Sequence, residues 1–80
     1  MFKKKSTRQK FKEKIVKSLE SDAEILEDSK IGFFVKIIAE PSAYFHVSDN
    51  GVVVETSENR EDFIKRGAGC SLLTAILREV

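Results

Sequence analysis

An 80-residue chain with 41% hydrophobic and 34% charged residues suffices for one small core and excludes a protein of several domains. Its longest apolar stretch, Ile31–Ala39, contains Lys36, so no bilayer-spanning segment is predicted, and its single cysteine excludes an internal disulfide. The formal net charge of +1 is the sum of a basic segment of net +7 over residues 1–17 and an acidic segment of net −6 over residues 18–80. This asymmetry indicates a charged partner.

The first predicted element is an amphipathic helix that begins near Thr7. Ser6 followed by Gln9 has the spacing of a capping box, and apolar residues recur at helical spacing at Phe11, Ile15, Leu19, Ala23 and Leu26. Acidic residues near its far end oppose the helix dipole. A helix through residue 27 therefore competes with a helix that stops near Leu19 and is followed by a strand over Ala23–Glu27.

Three antiparallel strands are predicted next. Ile31–Ala39 is rich in β-branched and aromatic residues and is followed by Pro41, which stops a strand. Asn50-Gly51 joins two alternating runs within Tyr44–Thr56, and this dipeptide favours a two-residue type I′ hairpin turn. Such a turn assigns four side chains to the core, namely Phe45, Val47, Val52 and Val54. It leaves His46 and Glu55 paired on the opposite, outer face.

The chain is predicted to end in helical structure. Asn59 with Asp62 suggests a cap for a short helix through Phe63, Ile64 and Arg66, and Ser71 suggests a cap for a last helix. The predicted fold is α+β in two layers: an N-terminal helix, a three-stranded antiparallel sheet with an Asn50-Gly51 hairpin, and one or two short C-terminal helices. Residues 1–10 are predicted to be a basic N-terminal arm, and residues 11–80 a single small α+β domain.

A stripe of cations is the first candidate binding site. Its predicted nucleic-acid-binding residues are Lys3, Lys4, Lys5, Arg8, Lys10, Lys14 and Lys17. Closely spaced cations are all that phosphate binding needs, because it depends on charge neutralisation and counterion release. No zinc-finger spacing, RNP-type signature or helix-turn-helix pattern accompanies them. The competing interpretation is a solvated helix face that keeps a small protein soluble.

The outer face of the predicted sheet is the second candidate site. Four large apolar residues are assigned to this face as a protein interface, namely Phe34, Ile38, Tyr44 and Val53. Exposed apolar patches of this kind commonly mark interfaces with another protein or with a second copy. Acidic residues can add contacts to a basic partner, namely Glu20, Glu24, Glu27, Glu58, Glu61 and Asp62. The competing interpretation is that a terminal helix covers this face.

Two further features of the sequence are weaker candidates. A glycine-containing stretch before a helix can bind an anion through its N–H groups, and the residues concerned are Lys65, Arg66, Gly67, Gly69 and Ser71. The competing interpretation is a glycine link between two helices. Cys70 with His46 is conceivable as a catalytic pair, but a free cysteine is more often a small core residue. One cysteine and one histidine build no zinc site.

The sequence therefore predicts a small, cytoplasmic, non-enzymatic binding protein without a metal or cofactor. Its basic N-terminal helix would engage a nucleic acid or a complex that handles nucleic acid. The alternative is a protein-binding inhibitor or adaptor of the phage or mobile-element type, which would block a host defence or nucleic-acid enzyme. That protein would use the exposed sheet face together with its acidic surface.

Overall fold

The computed structural model describes residues 6–60, 62–64 and 67–80. Its elements run in the order α1 (Thr7–Leu19), a 3₁₀ turn (Glu20–Asp22), β1 (Ala23–Asp28), β2 (Gly32–Ile37), β3 (Ala43–Ser48), β4 (Val53–Thr56) and α2 (Ala68–Leu77). The strands form one antiparallel sheet in the order β1-β2-β3-β4. The α+β prediction is confirmed, but with four strands instead of three. Neither helix in the described ranges is long and apolar enough to cross a membrane.

The N-terminal helix begins where its cap predicts. Ser6 Oγ accepts a hydrogen bond of 3.1 Å from the Gln9 backbone N–H, whereas the Gln9 side chain donates to Glu13 instead of completing the capping box. The helix ends at Leu19, because Glu20 adopts a φ of 50° and the chain reverses. A helix through residue 27 is therefore wrong, and the competing strand is the one that forms.

One face of the sheet packs against both helices and forms the core. Side chains alternate between the two faces of a strand, and the inward-facing positions supply Phe33, Val35, Phe45, Val47 and Val53. The helices supply Phe11, Ile15, Cys70, Leu73, Ile76 and Leu77. The opposite face of the sheet, called the outer face below, carries no helix within the described residues.

The β3–β4 hairpin differs from the prediction by one residue. Ser48 N–H donates to Val52 O and Gly51 N–H donates to Ser48 O, each at 2.9 Å, so the loop contains three residues, 49–51. Gly51 has a φ of 82°, as a three-residue loop requires at that position. The pairs are then Val47 with Val53 and His46 with Val54. Since a shift of one residue reverses the faces of a strand, the core assignment of Val52 and Val54 is wrong.

The segment after β4 is extended rather than helical. Arg60 N–H donates to Ser57 O at 2.9 Å and closes a tight turn, and Phe63 then pairs with Thr56 in an antiparallel bridge. The predicted helix through Phe63 is therefore wrong for its described residues, and Arg66 lies outside them. The last helix begins at Ala68, so Ser71 is not its cap.

Glycine at position 69 is required by packing. A Cβ atom there would lie 2.3 Å from Cζ of Phe45, which is buried under α2. The helix and the sheet approach each other this closely only because the position has no side chain. Gly69 therefore has a structural role.

Two adjacent valines test the observed register of β4. Val53 is 1% exposed and Val52 is 45% exposed. We expect Val53→Ala to lower the free energy of unfolding by about 2 kcal/mol, because buried methyl groups are lost and a cavity remains. Val52→Ala should change it by less than about 0.5 kcal/mol. Urea denaturation of both variants measures the difference, and equal effects would contradict the register.

Candidate functional site

Two of the cations on α1 pair with acids at the end of β1 and in the β3–β4 loop. The Arg8 guanidinium donates two hydrogen bonds of 2.8 Å to the Asp49 carboxylate and one of 3.4 Å to Asp28. Lys12 Nζ lies 2.5 Å from the other carboxylate oxygen of Asp28. Arg8 thereby joins α1 to the end of β1 and to the β3–β4 loop. The hydrogen bond from Arg8 lowers the pKa of Asp49, and the hydrogen bond from Lys12 is the main cause of the lowered pKa of Asp28.

The rest of the predicted cation stripe lies on the side of α1 that faces away from the sheet. Lys10 and Lys17 are exposed, Lys14 is half-buried, and the three line a shallow groove of about 320 Å³ together with Glu13 and Val80. Lys14 Nζ is 3.6 Å from a carboxylate oxygen of Glu79. Three cations of the predicted site remain together here. Lys3, Lys4 and Lys5 lie outside the described residues.

The outer face of the sheet carries a row of aromatic rings. Phe34 and His46 are cross-strand neighbours with ring centroids 4.9 Å apart, and Phe63 lies 6.0 Å from His46 on the other side. Both contacts have the edge-to-face arrangement that aromatic pairs prefer. His46 is only 4% exposed, whereas Phe63 is 59% exposed. The row therefore leads from a buried ring to a ring that faces solvent.

The turn after β4 folds over part of this face. Arg60 has a φ of 63°, and its guanidinium lies 5.9 Å from the centroid of the Tyr44 ring. The guanidinium also donates a hydrogen bond of 3.0 Å to the Glu27 carboxylate on β1. Lys36 Nζ lies 5.9 Å from the same ring and pairs in register with Glu24. Both cations near the ring thus have a carboxylate on β1 as a partner or neighbour.

The predicted interface residues lie in three different environments. Phe34 and Tyr44 are half-buried on the outer face, and Ile38, just after β2, is 50% exposed. Val53 is in the core, and Val54 lies on the outer face in its place, because of the one-residue shift in the hairpin. The sequence pattern does not indicate Phe63 as an interface residue, because it predicts a helix at this position. No local pattern indicates that the chain returns to the edge of β4.

The two weaker candidates are dispersed by the fold. Gly67 caps α2, Gly69 packs on Phe45, and Ser71 is exposed in the first turn of the helix; Lys65 and Arg66 lie outside the described residues. Cys70 is 3% exposed in the core, on the opposite side of the sheet from His46. These two side chains therefore do not form a catalytic pair. His46 faces Val54 rather than the predicted Glu55.

The described residues contain no group of three or more histidine, cysteine or acidic side chains that could hold a metal ion. Comparison of the chain with known protein families, with curated proteins and with solved structures found no match. The candidate function therefore follows from the geometry of the two surfaces described above, the lysine groove on α1 and the outer face of the sheet.

His46 makes the stability of the fold sensitive to pH. Its Nε2 lies 2.7 Å from Ser29 Oγ, and burial is the main reason why its pKa lies below the ordinary value of 6.5. As the pH falls below 6.5, the unfolded chain binds a proton that the folded chain does not yet accept. Stability should therefore decrease with falling pH until the folded-state pKa is reached, and then lose this dependence.

The chain has a single histidine, so its titration is unambiguous. We expect the His46 Cε1–H resonance to titrate below pH 6.5, and the melting temperature to fall between about pH 7.5 and pH 5. A His46→Gln variant should show a smaller fall over the same range. A histidine that titrates at or above pH 6.5 would contradict this account.

Proposed function

We propose that the protein is a non-enzymatic binding protein whose outer face docks against a partner protein with a basic surface. The observation that carries this proposal is the exposure of Phe63 at the end of the aromatic row. Its ring is 59% exposed although it contacts His46, the adjacent Ile64 is 57% exposed, and Ile38, just after β2, is 50% exposed. Aromatic side chains with this exposure are typical anchors of protein interfaces.

The charges around the outer face favour a basic partner. Exposed carboxylates flank the face on both sides, on β1 at Glu24 and Glu27, and on the segment after β4 at Glu58 and Asp62. The cations on this face, Lys36 and Arg60, lie opposite or against two of these acids. The described charged residues of this face are therefore net acidic, which favours a partner with a basic surface over a second acidic face.

An acidic face with aromatic anchors fits an inhibitor or adaptor. The surfaces of proteins that bind nucleic acid are basic, and such a face would cover them by charge complementarity. The acids would increase the association rate, and the aromatic residues would slow dissociation. On this proposal the protein acts by occupying a nucleic-acid-handling protein rather than by catalysis.

Phe63→Ser tests the docking surface without disturbing the core. The side chain is mostly exposed, so the variant should unfold at nearly the same urea concentration as the wild type. Loss of an aromatic anchor should weaken association by about 2 kcal/mol, roughly 30-fold. The wild-type and variant proteins are each immobilised, and the proteins that they capture are quantified by mass spectrometry. The ratio of captured protein measures the change in association.

Leu72→Ser is the matched control, because Leu72 is 46% exposed on α2 and lies on the other side of the molecule. It should retain every protein that Phe63→Ser loses, and high salt should release those proteins. The proposal fails if the wild type, Phe63→Ser and Leu72→Ser capture the same proteins to the same extent. Light scattering of the wild type tests for a second copy as the partner.

A second candidate function, nucleic-acid binding, is supported by the lysine groove on α1. Lys10, Lys14 and Lys17 remain together on one side of the helix, and Lys14 also pairs with Glu79; closely spaced cations can neutralise phosphates. The engagement of Arg8 with Asp49 makes this site smaller than the sequence predicts. We therefore place it second.

Salt dependence measures how many of these lysines contact phosphate. On duplex DNA, the slope of log K against log salt changes by about 0.9 for each phosphate contact. Replacing Lys10 and Lys17 with alanine should therefore reduce the slope by about 1.8, whereas Lys30→Ala, on the β1–β2 connection, should leave it unchanged. Fluorescence anisotropy with duplex DNA, single-stranded DNA and RNA gives the slopes. Absence of binding at low salt would reject this candidate.

A further inference from the structure

A groove of about 460 Å³ lies at the end of the sheet where β3 begins and β4 ends. One side is formed by residues 41–44, where the β2–β3 connection leads into β3, and the other by residues 55–58 together with Ile64. Tyr44 and Thr56 pair in register across the two sides. The groove is thus built from three separate parts of the chain.

Thr56 is the unusual residue of this groove. It is 3% exposed, and its Oγ1 is buried without a hydrogen-bond partner, the only side-chain nitrogen or oxygen atom of the described residues in that state. A buried hydroxyl without a partner destabilises a fold, and valine has nearly the same shape without the hydroxyl. Packing alone therefore does not explain a threonine here. A hydroxyl that meets a group from outside the chain does explain it.

The acidic side chain of the groove is that of Glu58, which is exposed. Glu55 also lines the groove, but it pairs with the buried Phe45 and its carboxylate lies near Gly67 at the start of α2. No cation of the described residues lines the groove. Arg60 and Lys36 contact the nearby Tyr44 ring, but Arg60 is bound to Glu27 on β1 and Lys36 pairs in register with Glu24 there. A cationic group would therefore find carboxylates here, and an anion would be repelled.

We propose that this groove binds an arginine side chain of the partner protein. A guanidinium is planar and carries five N–H donors. It can donate two hydrogen bonds to the Glu58 carboxylate and a further one to Thr56 Oγ1. The apolar side chains of Pro41 and Ile64 can contact its methylene groups. This inference rests on the proposed function, because the arginine is taken to come from the docked protein.

N-acetyl-arginine amide is the probe, since it presents the side chain without the partner. In a ¹H–¹⁵N NMR titration, we expect saturable shifts at Tyr44, Thr56–Glu58 and Ile64, with a millimolar Kd for so small a ligand. Glu58→Gln should weaken binding about tenfold, and Thr56→Val about threefold. N-acetyl-lysine amide should bind more weakly, and N-acetyl-citrulline amide, the neutral analogue, should not bind.

The stability of Thr56→Val separates a ligand role from a structural one. If the hydroxyl has no partner in the folded chain, the melting temperature of the variant should equal or exceed that of the wild type. A clear decrease would show that the hydroxyl is bonded within the fold and would overturn the proposal. Absence of saturable shifts, or equal binding of the citrulline compound, would overturn it as well. Glu58→Gln changes an exposed residue, so its effect on the titration tests the carboxylate independently of Thr56.

Failure of this inference is distinguishable from failure of the proposed function. If Phe63→Ser loses its captured proteins but the arginine amide does not bind, the outer face is an interface and the groove is not an arginine site. If the amide binds as expected but Phe63→Ser captures the same proteins as the wild type, the guanidinium site is supported and the outer-face interface is rejected.

Discussion

The three-residue loop between β3 and β4 sets the pairing of these strands, and the pairing decides which face every residue of β4 occupies. Gly51 with its positive φ allows the Ser48 N–H to reach Val52 O, and Arg8 holds the Asp49 side chain at the same loop. A two-residue turn at this position would point Val54 and Thr56 into the core. Instead Val53 completes the core, and Thr56 lies beside Tyr44 on the outer face.

The same loop takes part in the ion pairs that engage the basic helix α1. Asp49 in the loop and Asp28 at the end of β1 take up Arg8 and Lys12, so part of the charge asymmetry of the sequence is used inside one molecule. Surface ion pairs contribute little to stability, but these join α1 to both connections at one end of the sheet. The lysines that remain on α1 form a smaller site than the sequence alone suggests.

The two faces of the sheet have different physical roles. Both helices cover the inner face, and of the described residues only the turn that follows β4 covers part of the outer face. This turn brings Arg60 across Tyr44 to Glu27 and leaves Phe63 exposed at the edge. The groove with Thr56 lies at the end of that same face. The proposed interface and the proposed arginine site therefore belong to one continuous surface.

The sequence by itself determined the elements that depend on local chemistry. The Ser6 cap and the spacing of Phe11 and Ile15 define α1, and the alternation around Asn50-Gly51 defines a hairpin. Tertiary structure decided whether Ala23–Asp28 became a strand, because its apolar residues also fit helical spacing and the strand forms only by pairing with β2. It also decided the hairpin register, since a glycine with positive φ suits loops of two or three residues equally. The position of Phe63 and the isolation of Thr56 Oγ1 arise only from contacts between distant segments, which no local pattern encodes.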